Sequence, residues 1–63
     1  GGEVSEYSDL LTNTRNAALE RMVEEAKKLN ADAVINVRFT TSNVAQGVSE
    51  ILAFGTAVKL KDV

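Results

Sequence analysis

The hydrophobic period of this sequence changes at a single asparagine. Up to Leu29 the apolar residues recur at helical spacing, with Tyr7 and Leu11 followed by Leu19, Met22, Val23, Ala26 and Leu29. From Ala31 the spacing becomes two, so that Ala33, Ile35, Val37 and Phe39 share one face and Asn36, Arg38 and Thr40 the other. Neither a glycine nor a proline separates the two regimes. The reversal therefore falls on Asn30, since asparagine is, after glycine, the residue that best tolerates the left-handed conformation that ends a helix. A long helix leading directly into a sheet is what such a chain can build.

The spacing predicts one amphipathic helix over about residues 5–30. Ser5 or Ser8 is placed to cap its start, and Asp9 then complements the helix dipole. Lys27 and Lys28 fall in the last turn, and Glu24 stands four residues before Lys28 in the favourable order. Thr12 to Asn16 is the weak stretch, because Thr and Asn are poor helix formers and Asn13 could cap a second helix. A kink or fraying is expected there.

Strands are predicted at about 32–41 and 49–61. The stretch TTSNVAQGVS between them reads as a long hairpin connection, with Asn43 and Gly47 as the candidates for positive φ. In the second strand Leu52, Phe54, Val58 and Leu60 make one apolar face, while Ile51, Ala53, Gly55 and Ala57 make the other. The small residues Ala53, Gly55 and Ala57 form a track on which a helix or another backbone can approach closely. One helix hides only one face, and a two-stranded sheet alone is marginal, so the second face calls for a subunit interface or further chain.

Size sharpens that demand. The chain has 63 residues and reads as one α+β domain, residues 1–63, in the range where a single core rarely supplies more than about 3 to 5 kcal/mol. It contains no cysteine and no histidine, which removes disulfides and the usual zinc or copper ligands together. Association with other copies is the remedy left.

Composition also excludes several functions. A net charge of -2 with interleaved signs offers no footprint for nucleic acid or an anionic membrane, and one Tyr, two Phe and no Trp make a poor base-stacking platform. No run approaches the length of a membrane span and no signal peptide is visible, so a cytoplasmic protein is expected. Without His or Cys, and without triad or phosphate-loop spacing, no catalytic residue and no cofactor site is assigned, and the chain is not expected to be an enzyme.

Three groups were weighed as sites. Glu20, Glu24 and Glu25 are the crowded carboxylates that a hard cation would need, yet solvated pairing with Arg21, Lys27 and Lys28 is the commoner use, and no metal ligand is assigned. The row Asn36, Arg38 and Thr40 would be repeated by symmetry in a ring and could line a channel or hold a small anion, against the plainer use of facing solvent or a neighbouring subunit. Arg15 and Arg21 could link subunits through Glu20 or Glu50.

The run YSDLLTNTRNAALERMVEEAKKLNADAVINVRF, followed by FGTAVKL, resembles the YbjQ-like family of small bacterial and archaeal proteins, often labelled heavy-metal-binding domains. The resemblance covers nearly the whole chain, with Gly1 and Gly2 similar to the end of the family's glycine-rich segment. It implies a dodecin-like subunit, one long helix packed on a curved antiparallel β-hairpin, and assembly into ring-like pentamers. It also implies metal-ion or small-ligand binding, at a site formed between subunits, as the alternative to pure self-assembly. Three departures stand out. Family members carry a further N-terminal stretch with strand character, so this sequence reads as a shortened member, a fragment or a processed form. Asn30 replaces the family's usual glycine, and Glu3 stands where a basic residue is common.

Overall fold

A computed structural model describes residues 2–62; the side chains of residues 2–5 and of Tyr7 lie outside the description, and with them the expected roles of Ser5 and Tyr7 side chains and of Glu3. Helix α1 runs over Gly2–Lys28, and strands β1, Ala33–Ala45, and β2, Val48–Val58, form a two-stranded antiparallel sheet. The architecture is the expected α+β one, a single helix on a hairpin.

The one expected helix runs unbroken through the weak stretch Thr12 to Asn16. Thr14 lies in the weak stretch, and its hydroxyl donates to the Leu10 carbonyl one turn back at 2.8 Å, which lets a poor helix former remain inside. The start also lies earlier than residue 5, so Ser5 and Ser8 sit within the helix rather than at its cap.

The helix end follows from hydrogen bonds. Asn30 has φ 57°, its N-H donates to the Lys27 carbonyl at 3.0 Å, and the Ala31 N-H reaches back to the Ala26 carbonyl at 3.1 Å. These are the two bonds of a Schellman motif with Asn30 in the left-handed position, as the sequence indicated. The chain then enters the sheet at once. The Asp32 N-H donates to the Val58 carbonyl at 2.9 Å, and the Asp32 carboxylate accepts the Leu60 N-H at 2.8 Å, fastening the segment after β2 to the start of β1. Leu60 lies beyond the strand rather than on its apolar face, correcting the predicted end at 61.

The connection between strands is shorter than predicted. Residues 41–45 and Val48 belong to the ladder, leaving Gln46 and Gly47 as a two-residue turn with Gly47 at φ 74°. Asn43 does not take positive φ; its side-chain oxygen accepts a hydrogen bond from the Ser49 hydroxyl at 2.9 Å, so turn-forming residues are spent on a cross-strand link. Polar composition resembled a loop because both faces of this distal hairpin are exposed.

The predicted strand face of β1 needs a larger correction. The register shifts between Ile35 and Arg38, so Asn36 and Val37 together oppose Gly55, and Asn36 has φ 56°. This is a β-bulge, and the extra residue reverses the alternation. Ala33 and Ile35 therefore share a face with Arg38 and Thr40, while Val34, Val37 and Phe39 take the opposite, helix-facing side. The unbroken alternation of the sequence hid this, and the left-handed tolerance of Asn36 was its only sign.

Helix and sheet meet through the small-residue track. A side-chain carbon on Gly55 would overlap Val34 Cγ1 on β1 and stand 3.3 Å from Met22 Sδ, so the glycine makes room for Val34 and lets Met22 come close. The fit has a periodic basis. Four helical residues rise about 6 Å and two strand residues about 6.7 Å, so Ala18, Met22 and Ala26 run in step with Ala53, Gly55 and Ala57. Ala18 and Ala26 are the buried apolar residues, at 2% and 8% exposure.

Two stability measurements check this seam. Asn30→Gly should be neutral or stabilise by up to about 1 kcal/mol, since glycine adopts the same conformation without a Cβ penalty. Gly55→Ala should destabilise by about 1 to 3 kcal/mol, the usual cost of overpacking. Urea melts of both variants read the two signs directly.

Candidate functional site

The site with most to explain is the sheet itself. Its helix-free side presents Ala33, Ile35, Thr56 and Val58 at one end, Arg38 beside Phe54 and Thr40 beside Leu52 in the middle, and Ser42 and Glu50 toward the other end, as the register requires. Phe54 is 55% exposed and Ile35 48%. Leu52, Phe54 and Val58 share one face, as the sequence grouped them, and it is the face that the helix leaves bare.

The helix lies mainly over β2, which leaves β1 flanked by an open apolar groove of about 440 Å³. Leu19, Met22, Val23 and Ala26 form one wall, Val34 and Val37 the other. Both long strand edges are unpaired in the single chain, and each strand carries one charge, Arg38 on β1 and Glu50 on β2. Edges with so few charges and no proline lack the usual protection against pairing with another strand. Irregularities of register at Asn36 and again at Val44 are the protective features of β1 among the described residues.

The polar row is only partly assembled. Arg38 lies opposite Phe54 and Thr40 opposite Leu52, both on the helix-free face, whereas Asn36 is occupied in the bulge. The row is thus shorter than alternation indicated.

The carboxylates of α1 do not gather. Lys27 Nζ lies 3.5 Å from Glu24 Oε1 and Lys28 Nζ 3.1 Å from Glu25 Oε1, both as exposed pairs on neighbouring turns. Each is worth little in water. The Glu24 to Lys28 pair read from the sequence is replaced by these two. Among the described residues no three acidic side chains converge as metal ligands would.

The two arginines face their own sheet. The Arg15 guanidinium stands 5.9 Å from the centre of the Phe39 ring, and Arg21 Nη2 donates to the Ile51 carbonyl at a long 3.4 Å. Within one chain neither forms an ion pair with Glu20 or Glu50 among the described residues. Sequence reasoning missed both contacts, because the bulge that turns Phe39 toward the helix was not foreseen.

Chemically, the arrangement is an exposed apolar surface with scattered oxygen donors and, as soft donor, only the Met22 thioether among the described residues. No described helix is long and apolar enough to cross a membrane. Glu24→Gln and Glu25→Gln should each change stability by less than about 0.5 kcal/mol, as expected for exposed pairs. Calorimetric titration with Ca²⁺ or Mg²⁺ should give the same trace for these variants as for the parent; a saturable signal lost in either variant would establish a helix site.

Comparison with known proteins gives a consistent picture. A family model described as "Putative heavy-metal-binding", YbjQ_1, matches residues 1–61. A UPF0145 protein of Thermosipho africanus is 56% identical over 97% of this chain and 56% of the relative. Those of Vibrio campbellii and Archaeoglobus fulgidus are 60% and 59% identical, over 95% and 97% of this chain and 58% and 56% of the relatives. The chain thus spans a little under three-fifths of the length of these relatives, whose names state no activity. No solved structure matches it.

Proposed function

The chain belongs to the YbjQ-like family, and from its uncovered sheet we propose that its direct role is to self-associate into a closed ring, a pentamer. Any ion or small ligand would be held between copies. The reading includes no reaction and sets the assembly in the cytoplasm.

One observation carries the proposal. The chain exposes 5396 Å², whereas a compact monomer of 6.8 kDa would expose about 4,000 Å². Its radius of gyration is 15.0 Å, against about 11 Å for a compact chain of this length. The excess of about 1,400 Å² exceeds one partner's share, about 800 Å², of a standard interface. A cyclic ring draws on such surface twice per copy, since each subunit contacts one neighbour on either side.

The family description suggests a second reading, binding of a heavy metal. The donor set does not fit it. Soft metals select thiolate or imidazole, and all 63 residues contain neither. Hard cations remain compatible with the oxygens present, so the activity and ligands of the longer relatives enter only through that narrower chemistry.

Native mass spectrometry and sedimentation over a range of concentrations test the reading. The expected outcome is a closed ring dominated by the pentamer, and Phe54→Asp should convert it to smaller species by placing a charge in the contact layer. A monomer at every concentration would overturn it.

A further inference from the structure

We infer that the fork between α1 and the distal half of the hairpin binds a small oxyanion, of which phosphate is the type, on the guanidinium of Arg15. The inference supplies a ligand class and an anchor for the self-association reading, and it rests on that reading only for what encloses the site. Every anchoring group belongs to one chain.

Charge points to the ligand. Residues 10–19 of the helix carry Arg15 as their one charge, and residues 39–49 of the hairpin carry none. The cations nearer the helix end have acidic neighbours, since Lys27 and Lys28 lie against Glu24 and Glu25, and Arg21 shares its hollow with Glu20, Glu24 and Glu25. Among the described residues no carboxylate lies within ion-pair distance of Arg15. Its charge is uncompensated where it stands.

Geometry prepares that charge for an anion. Past the bulge, β1 turns Phe39 and Thr41 toward the helix, and the Arg15 guanidinium stands over the Phe39 ring at 5.9 Å. The contact occupies the flat face of the guanidinium and leaves its N-H fork, which lies in the plane, to reach two oxygens of one oxyanion. A group held against a ring also loses less freedom on binding than an unrestrained one. Arg15, Phe39, Thr40, Thr41 and Ile51 surround a hollow of about 380 Å³, within the span of about 300 to 1,000 Å³ common for small-molecule sites.

Two runs that local propensity does not explain meet here. Thr12, Asn13, Thr14 and Asn16 are poor helix formers kept inside α1, and Thr40 to Asn43 are turn formers kept inside β1. Both surround Arg15 in the fork with hydroxyl and amide groups, where carboxylates would repel an anion. Thr41, paired with Ile51 and lining the hollow, supplies the hydroxyl that can donate to a bound oxygen.

A phosphate titration followed by NMR tests the site. With ionic strength held constant by sodium chloride, inorganic phosphate should saturably shift the Arg15 Nε-H signal and the backbone amides of Phe39 and Thr41. Arg15→Gln should raise the phosphate Kd at least about tenfold, through loss of the charge-assisted bonds. Arg15→Lys keeps the charge without the planar fork and should raise it about threefold or more, as should Thr41→Val. Lys59→Gln removes a positive charge outside the fork and should leave the Kd within about twofold. Circular dichroism should report all four variants folded.

The inference is overturned if phosphate gives no saturable shift, or if Lys59→Gln weakens binding as much as Arg15→Gln. It is also overturned if the parent chain binds no phosphate and Arg15→Gln abolishes its self-association, which assigns the guanidinium to a carboxylate of a neighbouring copy. Sedimentation of the parent chain reads association separately. A monomer that binds phosphate keeps the anion site and loses the ring, and a ring that binds none keeps the ring alone.

Discussion

Helix and sheet meet most closely over the empty side-chain position of Gly55. A single carbon there would overlap Val34 of β1 and crowd the Ile35 carbonyl of β1 at 3.2 Å and Met22 Sδ of the helix at 3.3 Å. Around it Ala18 and Ala26 are buried with little volume of their own. The seam is therefore close in distance and poor in buried area, since all its residues but Met22 are alanine or glycine and remove little apolar surface from water. A close backbone approach favours orientation over stability. It fixes where the helix lies, mainly along β2, and thereby what it leaves open: the flank of β1, the far face of the sheet and both edges.

From this placement the excess surface follows. The larger apolar residues are not in the seam. Phe54, Ile35 and Val37 stand on or beside the uncovered surfaces, so the part of the sequence with most hydrophobic energy to contribute contributes little within one chain. In a fold of this size that distribution has a meaning. Apolar residues clustered on a strand-rich surface are interface material, and the open ladders beside them supply the directionality that a smooth apolar patch lacks. Nonequivalent edges favour cyclic or open-ended growth over a simple two-fold dimer.

Much of the architecture was legible in the residues. Asn30 announced the helix end, Ala53, Gly55 and Ala57 the helix contact, and Leu52, Phe54 and Val58 the bare face. The failures have physical causes. Thr41 to Val44 read as a loop because exposed strand residues resemble loop residues in composition, and only pairing separates them. The bulge at Asn36 was invisible because residues 33–39 alternate without fault on paper, although the alternation is broken in space. That one error moved Val37 and Phe39 to the wrong face and concealed the stacking of Arg15 on Phe39. A period of two constrains a strand only while its partner keeps the same count.

The bulge also bears on the chemistry that a ring could support. If copies join edge to edge, the helix-free face becomes an inner wall, apolar toward the end carrying Ile35 and Phe54 and polar toward the end carrying Thr40 and Ser42. Without the bulge, Arg38 and Thr40 would lie on the opposite face from Leu52 and Phe54, beneath the helix, and the wall would lose its polar end. The polar groups of that wall are the hydroxyls of Thr40, Ser42 and Thr56, with the Arg38 guanidinium and the Glu50 carboxylate. Repetition by symmetry would multiply these weak donors into a ring without any strong ligand in the single chain. Such a site suits a hard cation or a neutral polar molecule, and its chemistry runs opposite to that of a soft heavy metal.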